Sequence, residues 1–296
     1  KSVWEIYSWL VEGIEIAREQ NNGEMSRAIL RFASRDETLS ESVKENLDIR
    51  LREGLANGCP DEVARELALG ADPDSNPFFG YSPLILAVLA GKKKIVCLLL
   101  DAGAFPDATE DDVVFIRKDS PRPGPESALT LAVGIGLEDI SEMLIKKNAD
   151  VNAVASEGKT ALMRAAMDGN EDLVKLLLEH GAKLEARDEK DWSALAQASH
   201  YEEIDTLRIL LLAGASSEPF PEDASRETLD EVMSELTDKV VGFYAVMDDG
   251  CDDEREAEFE AKYGRFIDTH PELSQLRSLA KTNSMNMDEA DAIPSL

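Results

Sequence analysis

An all-α solenoid of stacked helix–turn–helix units follows from two features of the sequence: a helical hairpin at 159–182 that cannot stand alone, and the return of its start and stop signals along the chain. Thr160 is placed to accept a first-turn N–H, and Leu162, Ala165 and Ala166 give the first helix a narrow apolar face. Asp168-Gly169-Asn170 forms the turn. Leu173, Val174, Leu176, Leu177 and Leu178 then make a second helix too apolar to face water, and Gly181 closes it in a left-handed cap. Such a hairpin leaves apolar faces on both sides and needs copies of itself to cover them. The opening hydroxyl recurs at Ser82, Ser127, Thr160 and Ser193, in steps of 45, 33 and 33 residues. The closing pair recurs at Gly70-Ala71, Gly103-Ala104, Asn148-Ala149, Gly181-Ala182 and Gly214-Ala215, so both ends of the unit keep one period with one interruption.

In chain order, residues 1–40 read as a helical pair. Ser2 to Glu5 fits a capping box, Trp4, Tyr7, Leu10, Val11 and Ile14 follow at helical spacing, Asn21-Asn22-Gly23 breaks the helix, and Met25, Ile29 and Phe32 mark a second one. The repeat array spans 41–220 in about five units. Its opening unit, with a helix from about Ser42 to Asn57 and another from Val63 to Leu69, is degenerate, as a terminal repeat with one wetted face should be. Hairpins follow at Ser82–Gly103, Ser127–Asn148, Thr160–Gly181 and Ser193–Gly214, the last with Glu202 where the other turns carry glycine. The 45-residue step adds 45 − 33 = 12 residues within 107–126, a segment that contains Val113-Val114-Phe115-Ile116 and then Pro121, Pro123 and Pro125. Residues 221–280 form an acidic helical extension. There, Val240 to Gly250 fits the second helix of a sixth, divergent repeat no better and no worse than a helix outside the array, and helices are expected at Glu254–Ile267 and Pro271–Leu279. Residues 281–296 lack periodicity and read as a tail.

The units resemble the ankyrin repeat family. Ser82-Pro83-Leu84 and Thr160-Ala161-Leu162 stand where that family has Thr-Pro-Leu-His, while Ile95 to Ala104 and Leu173 to Ala182 are similar to its second helix and cap. Asn148-Ala149-Asp150-Val151-Asn152-Ala153 matches the linker that follows. The motif histidine is absent, its place taken by Ile85, Thr130, Met163 and Ala196. The resemblance covers roughly 47–220 and implies a protein-binding module.

Thirty-one basic against 60 acidic residues leave a formal net charge of −29. Nucleic acid and anionic membrane are repelled by such a surface; a basic partner is favoured, although solubility is the plainer reading of the charge. Cys59, Cys97 and Cys251 have no metal-ligand or redox spacing, and Cys97 is expected in the core. No stretch is long and apolar enough to span a membrane. The expected setting is therefore intracellular and soluble, cytoplasmic, or an organelle matrix or stroma if a leader was removed before Lys1.

No catalytic, cofactor or metal site is expected. His180, His200 and His270 lack ligand spacing, no phosphate loop or nucleophile elbow occurs, and aligning Asp248 to Glu254 with a calcium loop puts Ala245 and Met247 where carboxylates are needed. What remains is a binding surface. The resemblance implies that the positions flanking each finger loop and preceding each turn line a concave face. They give Phe78, Phe79 and Tyr81, Leu89, Ile135, Met167, Trp192 and Tyr201 as protein-binding candidates, to which the insert adds Val113, Val114, Phe115 and Ile116. Aromatic anchors of this kind are typical hot spots. Two readings remain open: a partner takes this groove, or the insert, the N-terminal helices or the tail cover it. The expected function is a non-catalytic interaction scaffold, such as an accessory or linker subunit of a larger assembly. The alternative is a regulatory or effector protein that reversibly inhibits or recruits a target. Homo-oligomerisation is not indicated.

Overall fold

Each repeat begins on a hydroxyl because a helix leaves its first N–H groups without intrahelical partners. In the computed structural model, Ser82, Ser127, Thr160 and Ser193 accept the N–H of Ile85, Thr130, Met163 and Ala196. The structure describes residues 37–75, 81–107, 126–222, 224–246 and 253–281, with 13, 16, 20, 24, 25, 28 and 29. The expected N-terminal helical pair, the insert, the tail and the acidic turn at 247–252 lie outside the described residues, apart from those few positions.

The chain divides into two compact units, Lys1–Ser156 and Glu157–Leu296. In the first, the helices are α1 (Glu37–Asn57), α2 (Pro60–Leu69), α3 (Pro83–Leu89), α4 (Lys93–Asp101), α5 (Ala128–Gly134) and α6 (Glu138–Lys146). They pair as hairpins, α1 with α2, α3 with α4 and α5 with α6, and each hairpin packs on the next through like helices. α2 starts at Pro60 rather than Val63, since proline's fixed φ suits the first helical turn.

The second unit opens with a short 3₁₀ turn at Ser156–Gly158, then α7 (Ala161–Met167), α8 (Glu171–Glu179), α9 (Ala194–His200), α10 (Ile204–Leu212), α11 (Glu227–Val246), α12 (Asp253–Thr269) and α13 (Pro271–Lys281). Hairpins α7–α8 and α9–α10 pack in the same way, α11 and α12 lie against α10, and α13 lies against both of them.

The period survives in the core of both units. Leu84, Leu129, Leu162 and Leu195 of the first helices are buried, as are Leu99, Leu144, Leu177 and Leu210 of the second. Ala87, Ala132, Ala165 and Ala198 hold one register position, where only a small side chain lets neighbouring first helices approach. The opening repeat departs from this: Glu66 takes the leucine register of α2 and is buried there.

Of the two readings left open for Val240 to Gly250, the residues described, up to Val246, fit a helix outside the two-helix repeat. Residues 240–246 are the last turns of the single 20-residue helix α11. Leu229, Val232, Leu236, Val240 and Tyr244 form one continuous stripe at three- and four-residue spacing, all buried, so no turn interrupts it. α11 nonetheless starts one period after α9, at 227 against 194, and the array keeps phase into a lengthened helix. Cys97 is corrected, from core to half-buried, with its thiol donating to the Asp101 carboxylate at 3.4 Å.

Candidate functional site

Two kinds of backbone device fix the surface. The inter-helix turns place Gly58, Gly91, Gly136, Gly169 and Glu202 at one register position, all with φ between 62° and 75°. Four of them are glycines, which adopt this left-handed conformation freely; Glu202 adopts it with a Cβ.

The finger loops are tied by acids. Asp74 accepts the N–H of Phe105, Asp107 that of Asp150 and Glu185 that of Ser216, at 2.9, 2.6 and 2.8 Å. Donor and acceptor recur in register, so each such finger is held to the backbone of the next repeat. The N–H of Asp72 has the same register but no repeat before it, and Asp48 of α1 accepts it instead at 2.9 Å.

On this frame Leu89 and Ile135, at the ends of α3 and α5, are 40% and 50% exposed, and Tyr201, at the end of α9, is 50% exposed. Met167 and Tyr81 are half-buried. Phe78, Phe79, Val113, Val114, Phe115 and Ile116 lie outside the described residues.

Trp192 is the clearest departure from expectation. It is 8% exposed, packed on Ala196 and Ala224 with Phe220 against it. Its own unit covers it: the described residues packed on it come from α9 and from the segment after α10. Below it, the buried Asp188 accepts the N–H groups of Lys190 and Trp192 at 2.9 Å and the Gln197 amide at 3.0 Å, which locks the finger preceding α9.

The ring of His200 is exposed and bridges inside to outside. It meets Trp192 edge-on at 4.8 Å and Tyr201 edge-on at 5.2 Å. Sequence reasoning missed Ile204, 44% exposed at the start of α10, three residues after Tyr201. A signal existed: the same register holds Lys93, Glu138 and Glu171, so an isoleucine there is out of pattern. Phe105 and Val154, 60% and 63% exposed on loops of the first unit, were also missed, and no periodic signal marks them.

Electrostatics separate two carboxylates of the second unit. Lys159, 2.9 Å away, holds the Glu157 carboxyl below its usual range by hydrogen bond and charge, helped by Lys190 and Arg164. Partial burial pushes the Asp168 carboxyl above its usual range, opposed by Arg164.

Among the described residues no His, Cys, Asp or Glu cluster suits a metal ion, and no helix is long and apolar enough to cross a membrane.

A family model described as ankyrin repeats (3 copies) matches residues 54–155 and 129–219. No curated protein matches the chain.

Proposed function

The chain belongs to the ankyrin repeat family, whose all-α repeats are protein-interaction modules, and from that premise we propose that it is a non-catalytic scaffold, an accessory or linker subunit that holds another protein against the turn side of its repeats. The observation that carries this reading is the repeated exposure of a large apolar side chain at the end of a first helix: Leu89, Ile135 and Tyr201. Val88, Val133 and Ser199, one or two residues before them, are buried; Ile135 and Tyr201 share one register position, and Leu89 stands one position earlier in its own repeat. Repeated apolar groups left in water are typical of surfaces that meet another protein. Catalysis finds no support in the residue types gathered at these positions.

Replacing Leu89, Ile135 and Tyr201 together by alanine tests the proposal. Loss of the co-purifying partner with an unchanged circular dichroism spectrum is the expected result; full retention of the partner by the triple variant overturns it. Trp192 is unsuitable for this experiment because its removal disturbs the core.

A further inference from the structure

The acids of the second unit are unevenly compensated. Glu171 carries Lys175 at 3.0 Å, and Asp205 carries Arg208 at 2.6 Å. No ion pair reaches Asp168, Glu202 or Glu203 among the described residues, and the first two occupy the turns at the ends of α7 and α9, helices that pack on each other. Tyr201 stands one period after Asp168, at the equivalent place. Its ring is not loose: His200 holds one side of it and is itself held on the buried Trp192. Glu203 closes the gap between the turns, its carboxylate lying where a side chain on Gly169 would stand.

An aromatic ring that is half exposed and fixed from behind, with Glu202 next to it in the chain and Asp168, partly offset by Arg164, at the equivalent turn of the packed helix, has the chemistry of a cation seat. The ring face attracts a guanidinium or ammonium group, and the carboxylates supply the countercharge. With a net charge of −29, the whole chain also draws basic segments towards it and repels acidic ones.

Building on the reading that the repeats take a protein partner, we propose that Tyr201, with Asp168 and Glu202, seats an arginine or lysine side chain from a basic segment of that partner. Ile204, exposed three residues on at the start of α10, offers apolar surface to another side chain of the same segment.

The test uses the full chain and fluorescein-labelled deca-arginine at fixed, roughly physiological salt, with deca-glutamate as the comparison probe. Tyr201→Ala and the pair Asp168→Asn, Glu202→Gln each weaken binding about tenfold, while Tyr201→Phe keeps it. Glu258→Gln with Glu272→Gln removes the same charge from exposed positions of α12 and α13 and weakens it less than about twofold. The proposal is overturned if deca-arginine does not bind, if Tyr201→Ala binds unchanged, or if the α12–α13 pair weakens binding as much as the seat pair. In any of those cases, continued loss of the native partner from Leu89→Ala, Ile135→Ala leaves the protein-binding reading standing; retention of the partner there removes both.

Discussion

The Asp74 carboxylate accepts the backbone N–H of Phe105 through both oxygens, at 2.9 and 3.1 Å, and so ties one finger loop to the following repeat. Charged acceptors make the stronger hydrogen bonds, although exposure to water discounts this one. Asp74→Ala is expected to lower stability in urea by about 1 kcal/mol, and Asp74→Asn, which keeps an oxygen acceptor, by less than half of that. Equal losses for the two variants would show that the hydrogen bond contributes nothing.

Glu202 holds φ of 62° at a register where the other turns use glycine. A side chain in that conformation costs on the order of 1 kcal/mol. Glu202→Gly is therefore expected to stabilise the protein by about that amount, whereas Glu202→Ala, which keeps the Cβ, gains little. Thermal melts of both variants check this, and a destabilised Glu202→Gly refutes it.

Thr206 of α10 sits fully buried where Ile95, Ile140 and Leu173 stand in the other repeats, and its hydroxyl oxygen has no hydrogen-bond partner among the described residues. A buried hydroxyl without a partner keeps its desolvation cost. Thr206→Val retains the shape and removes the polar atom, so stability rises by about 1 kcal/mol; Thr206→Ser, which loses the methyl group and keeps the hydroxyl, lowers it. A Thr206→Val variant that unfolds earlier in urea would contradict the account.

The positions of the hairpins were legible because their signals are local. Ser82 caps Ile85, three residues on, and Gly181 with φ of 84° ends α8 where the pattern required a left-handed residue. Long-range closure was not. Trp192 looked like an exposed finger residue since its cover, Phe220 and Ala224, comes from a segment with no period of its own. For α11 both a sixth repeat and a helix outside the array stayed open, and the stripe from Leu229 to Tyr244 that marks one continuous helix runs through the sequence itself. At the candidate site, Leu89, Ile135 and Tyr201 could be placed by register alone. The edge-on contacts of His200 with Trp192 and Tyr201 depend on side-chain direction, and residue spacing does not encode them.

Trp192 closes the cluster formed with Ala196, Ala224 and Phe220, where the Arg226 guanidinium lies 5.5 Å over the Phe220 ring. Truncating a buried indole costs about 3–5 kcal/mol. Trp192→Ala is expected to lower the melting temperature strongly, and Trp192→Phe, which fills most of the volume, much less. It should also weaken deca-arginine binding by releasing His200 and Tyr201. A Trp192→Ala variant with an unchanged melting temperature would mean that the segment after α10 does not pack there.

Asp168 carries a cost in the free protein. Loss of part of its hydration, at a residue still exposed to solvent, holds its carboxyl somewhat above the ordinary aspartate range against the opposing charge of Arg164, so the unfolded chain loses that proton slightly more readily than the folded one. Below the ordinary range both states are protonated and the group is neutral towards folding. As the pH rises through the raised value, the folded state must carry a charge that the unfolded state carries more easily, and stability falls. Asp168→Asn is therefore expected to raise the melting temperature at neutral pH, with the gain shrinking as the pH falls through the aspartate range. Lowered stability at pH 7, or a gain that persists unchanged in acid, would refute the assignment. A residue that weakens the fold at the pH where its charge would hold a partner's cation follows the trade of stability for binding expected at functional positions. For the same reason a saturating basic ligand should protect the parent chain against heat more than the Asp168→Asn variant.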